Sequence, residues 1–98
     1  VFSVTMTVLT ENSQQIREIL PKLTEEMKGV CEIVKIGGNM ICAPSERTLI
    51  RIFIENREFK PLALKVRVNS DMSSDVVRYT REISNIISSL GYKILMEE

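Results

Sequence analysis

Between Leu62 and Val68 the chain alternates strictly, with Leu62, Leu64, Val66 and Val68 in one phase and Ala63, Lys65 and Arg67 in the other. Side chains on a strand point alternately to the two faces of a sheet. The segment therefore predicts a strand with one buried face and one polar, locally basic face. Phe2, Val4, Met6 and Val8 alternate with Ser3, Thr5 and Thr7 in the same way. From Thr48 to Glu55, Ile50, Ile52 and Ile54 share one phase, and Leu49, Arg51, Phe53 and Glu55 the other. Cys31 to Ile36 and Met40 to Ala43 predict a hairpin around Gly37-Gly38-Asn39. Pro44 to Arg47 reads as a turn, Asn56 to Pro61 as a charged connection and Lys93 to Met96 as a last short strand.

Two stretches change period. Ile16, Ile19, Leu20, Leu23 and Met27 recur at helical spacing. Asn12 and Gln15 stand at the start as a capping pair, and Gly29 at the end as a left-handed stop. Pro21 falls inside the stripe, where a missing N–H and a clash with the preceding turn cost about 3 kcal/mol. A kink near Arg17–Pro21 is expected, in preference to two short helices, because the apolar stripe keeps its phase. Val76, Tyr79, Ile83, Ile86, Ile87 and Leu90 form the second stripe. Capping side chains over Ser70–Asp75 precede it, and Gly91 follows it.

The order is strand, helix, four strands, helix, strand. Each amphipathic helix needs an apolar surface to cover. The simplest solution is an α+β two-layer sandwich, a mainly antiparallel sheet with both helices on one face. At 98 residues the chain is expected to form a single globular domain, 1–98.

Thirteen Lys and Arg balance thirteen Asp and Glu. Net charge therefore implies no strong nonspecific attraction to nucleic acid or anionic membrane. Within residues 31–69, however, seven basic residues face four acidic ones, so the strands lean basic. Histidine is absent, which excludes Ser-His-Asp and Cys-His sites within the chain. No apolar run reaches the length of a membrane span.

The two cysteines flank the glycine turn. A two-residue loop at Gly37-Gly38 pairs Ile36 with Asn39 and, extended outward, Cys31 with Pro44. A loop at Gly38-Asn39 moves the pairing further from Cys42. Neither register sets the cysteines opposite each other, so two buried thiols are expected, in a cytoplasmic protein. No metal site and no cofactor are expected.

With the apolar sets turned to the helices, the other sheet face carries Ser3, Thr5, Thr7, Leu49, Arg51, Phe53, Ala63, Lys65 and Arg67. Cations and one ring on an open sheet are the materials of single-strand recognition. They are equally those of a solvated sheet or of a protein interface. Gly37-Gly38-Asn39 lacks any phosphate-loop pattern and reads as a tight turn. Asn69–Asp75 lacks calcium-loop spacing and reads as a helix start. Glu25, Glu26 and Lys28 read as a solvated helix face, and Glu97-Glu98 as a frayed end.

The element order from Phe2 through Tyr92, with the ending Ser88-Ser89-Leu90-Gly91-Tyr92-Lys93, resembles one half of the TATA-binding-protein fold. That family carries two such halves in one chain and wedges paired phenylalanines into the minor groove. Here there is one half, and Phe53 alone in a comparable position. The resemblance implies the sandwich and suggests that two chains would complete a saddle. It does not carry DNA binding with it.

The expected function is that of a small non-enzymatic binding domain, self-associating as a homodimer through the open face or an edge strand. An apolar Leu49/Phe53 pair on an otherwise polar face suits such an interface. The alternative is a nucleic-acid-binding module using Arg51, Phe53, Lys65 and Arg67. An enzyme without histidine ranks third, with no catalytic residue to name.

Overall fold

The alternating segments form strands and the 3.6-period segments helices, in the expected order. The computed structural model describes residues 1–57 and 60–97. Its elements are β1 (Phe2–Leu9), α1 (Ser13–Met27), β2 (Ile33–Ile36), β3 (Asn39–Ser45), β4 (Thr48–Arg57), β5 (Lys60–Ser70), α2 (Ser73–Ser89) and β6 (Lys93–Glu97). The six strands make one antiparallel sheet in the order β2-β3-β4-β5-β1-β6.

One core joins the two layers. Met6, Val8, Ile50, Ile52, Leu64, Val66 and Val68 supply its sheet side. Ile16, Ile19, Leu23 and Met27 from α1, with Val76, Tyr79, Ile83 and Ile87 from α2, close it from above. Each fully buried aliphatic side chain contributes about 1.5–3 kcal/mol, which is why the alternation locks every strand to one face. Ile54 shares the phase of Ile50 and Ile52 but is exposed, toward the tip of the β4–β5 hairpin. Among the described residues no helix is long and apolar enough to cross a membrane.

The helix α1 is a single helix with Pro21 inside it, as expected in preference to two short ones, and Thr24 Oγ1 lies 3.0 Å from the carbonyl oxygens of both Leu20 and Pro21. Its start is as expected: Asn12 Oδ1 accepts from the Gln15 N–H at 3.0 Å. Several other local expectations are corrected. Gly29 is not left-handed; the helix ends in a tightened turn, with the Gly29 N–H donating to Glu26 O. Gly91 does adopt positive φ, at 92°. The N–H groups of Gly91 and Tyr92 then close on Ser88 O and Ile87 O, the Schellman pattern.

The start of α2 also differs. Its N-cap residue is Met72, which offers no capping side chain. Thr48 Oγ1 instead stands 2.9 Å from Ser70 Oγ and 3.1 Å from Asp75 Oδ2. A carboxylate only accepts, so Thr48 donates to Asp75 and receives from Ser70, while Ser70 Oγ accepts the Met72 N–H. This relay ties the first turn of α2 to the sheet.

The strands outrun their expected ends. Arg57 pairs with Lys60, so the connection expected over Asn56–Pro61 is mostly strand, and Glu58 and Phe59 lie outside the described residues. Pro44 sits inside β3, where two residues oppose Leu49 between the pairs Cys42↔Ile50 and Ser45↔Thr48. A bulge tolerates the missing proline N–H. Glu97, expected to fray, belongs to β6, and Glu98 lies outside the described residues.

The cysteines are the largest correction: Cys31 and Cys42 form a disulfide, with Cα atoms 5.8 Å apart, inside the range that bond requires. The turn is the two-residue Gly37-Gly38 loop, with Gly37 at φ 61° and Ile36 opposite Asn39. The ladder stops at Ile33↔Cys42, however, so extending it to Cys31 is not valid. Cys31 lies at the corner after α1, held by its N–H to Met27 O, and reaches Cys42 diagonally.

Candidate interaction face of the sheet

The register sets the open face in rows across the strands. One row runs Val34, Ile41, Arg51, Arg67, Thr5 and Glu97. Phe53, Lys65, Thr7 and Leu95 follow in the next. Leu49, Asn69 and Ser3 lie on the other side of the first. Arg51, Phe53, Lys65 and Arg67, expected to share a face, are brought together at its centre.

Arg51 and Arg67 stand directly opposite each other, which for like charges is destabilising unless something intervenes. The ring of Phe53 does so. The Arg51 guanidinium carbon lies 4.3 Å from the ring centroid and that of Arg67 5.3 Å. The negative face of the ring attracts both cations. Each is also anchored outward: Arg51 Nε–H donates to Asn39 Oδ1 and Arg67 Nε–H to Thr5 Oγ1, both at 3.0 Å.

Lys65 is not the solvated cation its alternation suggests, since its side chain is only 10% exposed. Its Nζ pairs with Glu55 across the β4–β5 ladder and lies 3.8 Å from Glu97 Oε2 beyond β1. Thr5, Thr7 and Ala63 are buried beside it although no helix covers this face. The centre of the face is therefore a closed polar cluster in which a lysine lies between two carboxylates.

Leu49 sits apart. It is exposed, but Arg51 separates it from Phe53 on the same strand, so the expected Leu49/Phe53 pair is not a continuous apolar patch. The apolar surface lies elsewhere. Val34 and Ile36 on β2 are 52% and 58% exposed, and Ile41 is half-buried opposite Val34. Leu9 and Leu95 are exposed at the opposite end. The alternation reading missed Val34 and Ile36, although counting outward from Gly37-Gly38 places both in the phase opposite Ile33. It placed Glu55 in the phase of Arg51 and Phe53 and Glu97 in a frayed end without giving either a partner, because neither partnership is visible without the strand order.

Among the described residues no three Cys, Asp or Glu side chains stand together as metal ligands. Compared with protein-family profiles, curated proteins and solved structures, the chain matches none of them.

Proposed function

We propose that this chain is a small non-enzymatic binding domain whose partner is a second copy of itself, met through the open sheet face and its β2 edge. The observation that carries this reading is the internal pairing of the charges. Lys65 lies between Glu55 and Glu97, and Arg51 and Arg67 are held by Phe53, Asn39 and Thr5. What the face offers outward is aliphatic: Val34, Ile36, Leu49, Leu9 and Leu95. A charge-satisfied centre with an exposed aliphatic margin loses little on desolvation and gains by burial.

Size supports the same reading. Six strands about 4.8 Å apart, most of them 5 to 11 residues long, give a face on the order of 700 Å². A stable complex buries about 800 Å² per partner. The test is molar mass by light scattering up to several hundred micromolar. A dimer is expected, and a monomer throughout rejects the reading.

The second reading, a nucleic-acid-binding module, is favoured by two arginines gathered around one ring. Stacking and phosphate contact use that chemistry. The neutralised Lys65 and the balanced net charge weigh against it. It requires salt-sensitive binding of an oligonucleotide that weakens in Arg67→Ala; no binding at low salt rejects it.

The expected cytoplasmic location rested only in part on two free thiols. The Cys31–Cys42 bond removes that support, and an oxidising compartment suits the bonded pair.

A further inference from the structure

The sheet ends at β2, and little holds that strand in place. It has four residues, of which Ile33 is half-buried and Val34, Lys35 and Ile36 are exposed. Among the described residues it pairs with β3 alone. Its ladder runs from Ile36↔Asn39 at the turn to Ile33↔Cys42 and stops there. On the other side of β3 the ladder to β4 also lapses after Cys42↔Ile50, where the bulge begins. An edge strand with few buried contacts is a segment that opens at low free energy.

The disulfide stands at that lapse. Cys31 follows α1 at the corner that leads into β2, and it is half-buried. Cys42 is in the core, 1% exposed. The bond ties the corner to β3 at the residue where backbone pairing fails on both sides, and the loop it closes contains the whole of β2. Without it, β2 is kept by four ladder pairs and the packing of Ile33. Val34 and Ile36, which this strand carries, belong to the aliphatic margin assigned above to the dimer. The strand that the bond retains is thus the strand that a second copy needs.

We infer that the Cys31–Cys42 bond is a redox switch on self-association, an inference that rests on the dimer proposed above. Oxidised, it holds β2 at the sheet edge and the chain dimerises. Reduced, it releases β2 and the dimer weakens. The reductant is a dithiol. One of its thiolates attacks Cys31 Sγ, the more accessible sulfur, and Cys42 leaves as a thiolate that takes up a proton. The second thiol of the reductant then displaces Cys31, so two electrons pass to the protein and the reductant becomes a disulfide. Both copies must have β2 in place to meet, so the loss counts twice. If reduction leaves β2 closed in about a third of the chains, the dissociation constant rises about tenfold.

The test is light scattering over a concentration series on the oxidised protein, on the same protein in excess dithiothreitol and on Cys31→Ser, with amide exchange followed in parallel. A dimer is expected when oxidised. A dissociation constant at least tenfold higher is expected in the reduced protein and in Cys31→Ser, with β1 and β5 still protected, and reoxidation of the parent should restore the dimer. Equal dimerisation of the oxidised and reduced forms would overturn the switch and leave the dimer standing. A monomer in both forms would overturn the two together. Loss of protection in β1 and β5 on reduction would show a bond that holds the whole fold, and would overturn the local release proposed for β2.

Discussion

Lys65 and Glu55 form an ion pair across the β4–β5 ladder, with the lysine side chain almost enclosed and the Glu55 side chain 40% exposed. The asymmetry makes the partners unequal. Removing the carboxylate leaves a buried ammonium whose one remaining carboxylate among the described residues is Glu97, 3.8 Å away. Removing the ammonium leaves a carboxylate on a side chain that is already partly solvated. Glu55→Ala is expected to destabilise by about 1–2 kcal/mol, less than the loss of a fully buried partner because Glu55 is partly solvated. Lys65→Met, which keeps the packing of the stem, is expected to be close to neutral. Denaturant midpoints of the two variants check this, and equal losses would show that the burial asymmetry does not govern the pair.

The disulfide closes a short loop between residues 11 apart, and β2 is the shortest strand and lies at the sheet edge. On the chain-entropy account a loop of this length is worth about 2–3 kcal/mol. Reduction should lower stability by about that amount and raise amide exchange first in β2 and β3. Unchanged protection of Val34 and Ile41 after reduction would count against the disulfide as what holds this hairpin in place.

Thr80 holds a hydroxyl that is buried and, among the described residues, unmatched. Thr80→Val keeps the shape and removes the cost of leaving that group without a partner. The free protein should gain up to about 1 kcal/mol, against a loss of similar size where such a hydroxyl is bonded. Thermal unfolding decides the sign, and destabilisation would mean that the hydroxyl has a bound water or other partner.

Ile36, exposed on the outer strand of the open face, is the residue to alter for self-association. Ile36→Glu should leave the unfolding midpoint within about 0.5 kcal/mol, as surface substitutions usually do. It should also weaken the dimer at least tenfold in light scattering, since it sets a charge in the aliphatic margin. A variant that dimerises like the parent would move the interface away from the β2 end.

Much of this architecture is legible in period alone. A period of two in Phe2–Val8, Thr48–Glu55 and Leu62–Val68, and a period near 3.6 in Ile16–Met27 and Val76–Leu90, assign each segment its form and its buried side. Burial rewards only one phase of each pattern. Asn12 and Gly91 mark ends by local chemistry, which needs no distant partner. The grouping of Arg51, Phe53, Lys65 and Arg67 follows from the same alternation.

Contacts between segments far apart in the chain are not contained in any local pattern. That Thr5 and Glu97 come to neighbour Arg67 and Lys65 depends on β1 lying between β5 and β6, and alternation is silent about strand order. The disulfide depends on where a ladder stops and a corner begins, the least local feature of a hairpin. Alternation thus put Lys65 on the uncovered face of the sheet, and the packing of its neighbours made it a buried ion pair, because the partners of a charge are set by the fold and its phase by the strand.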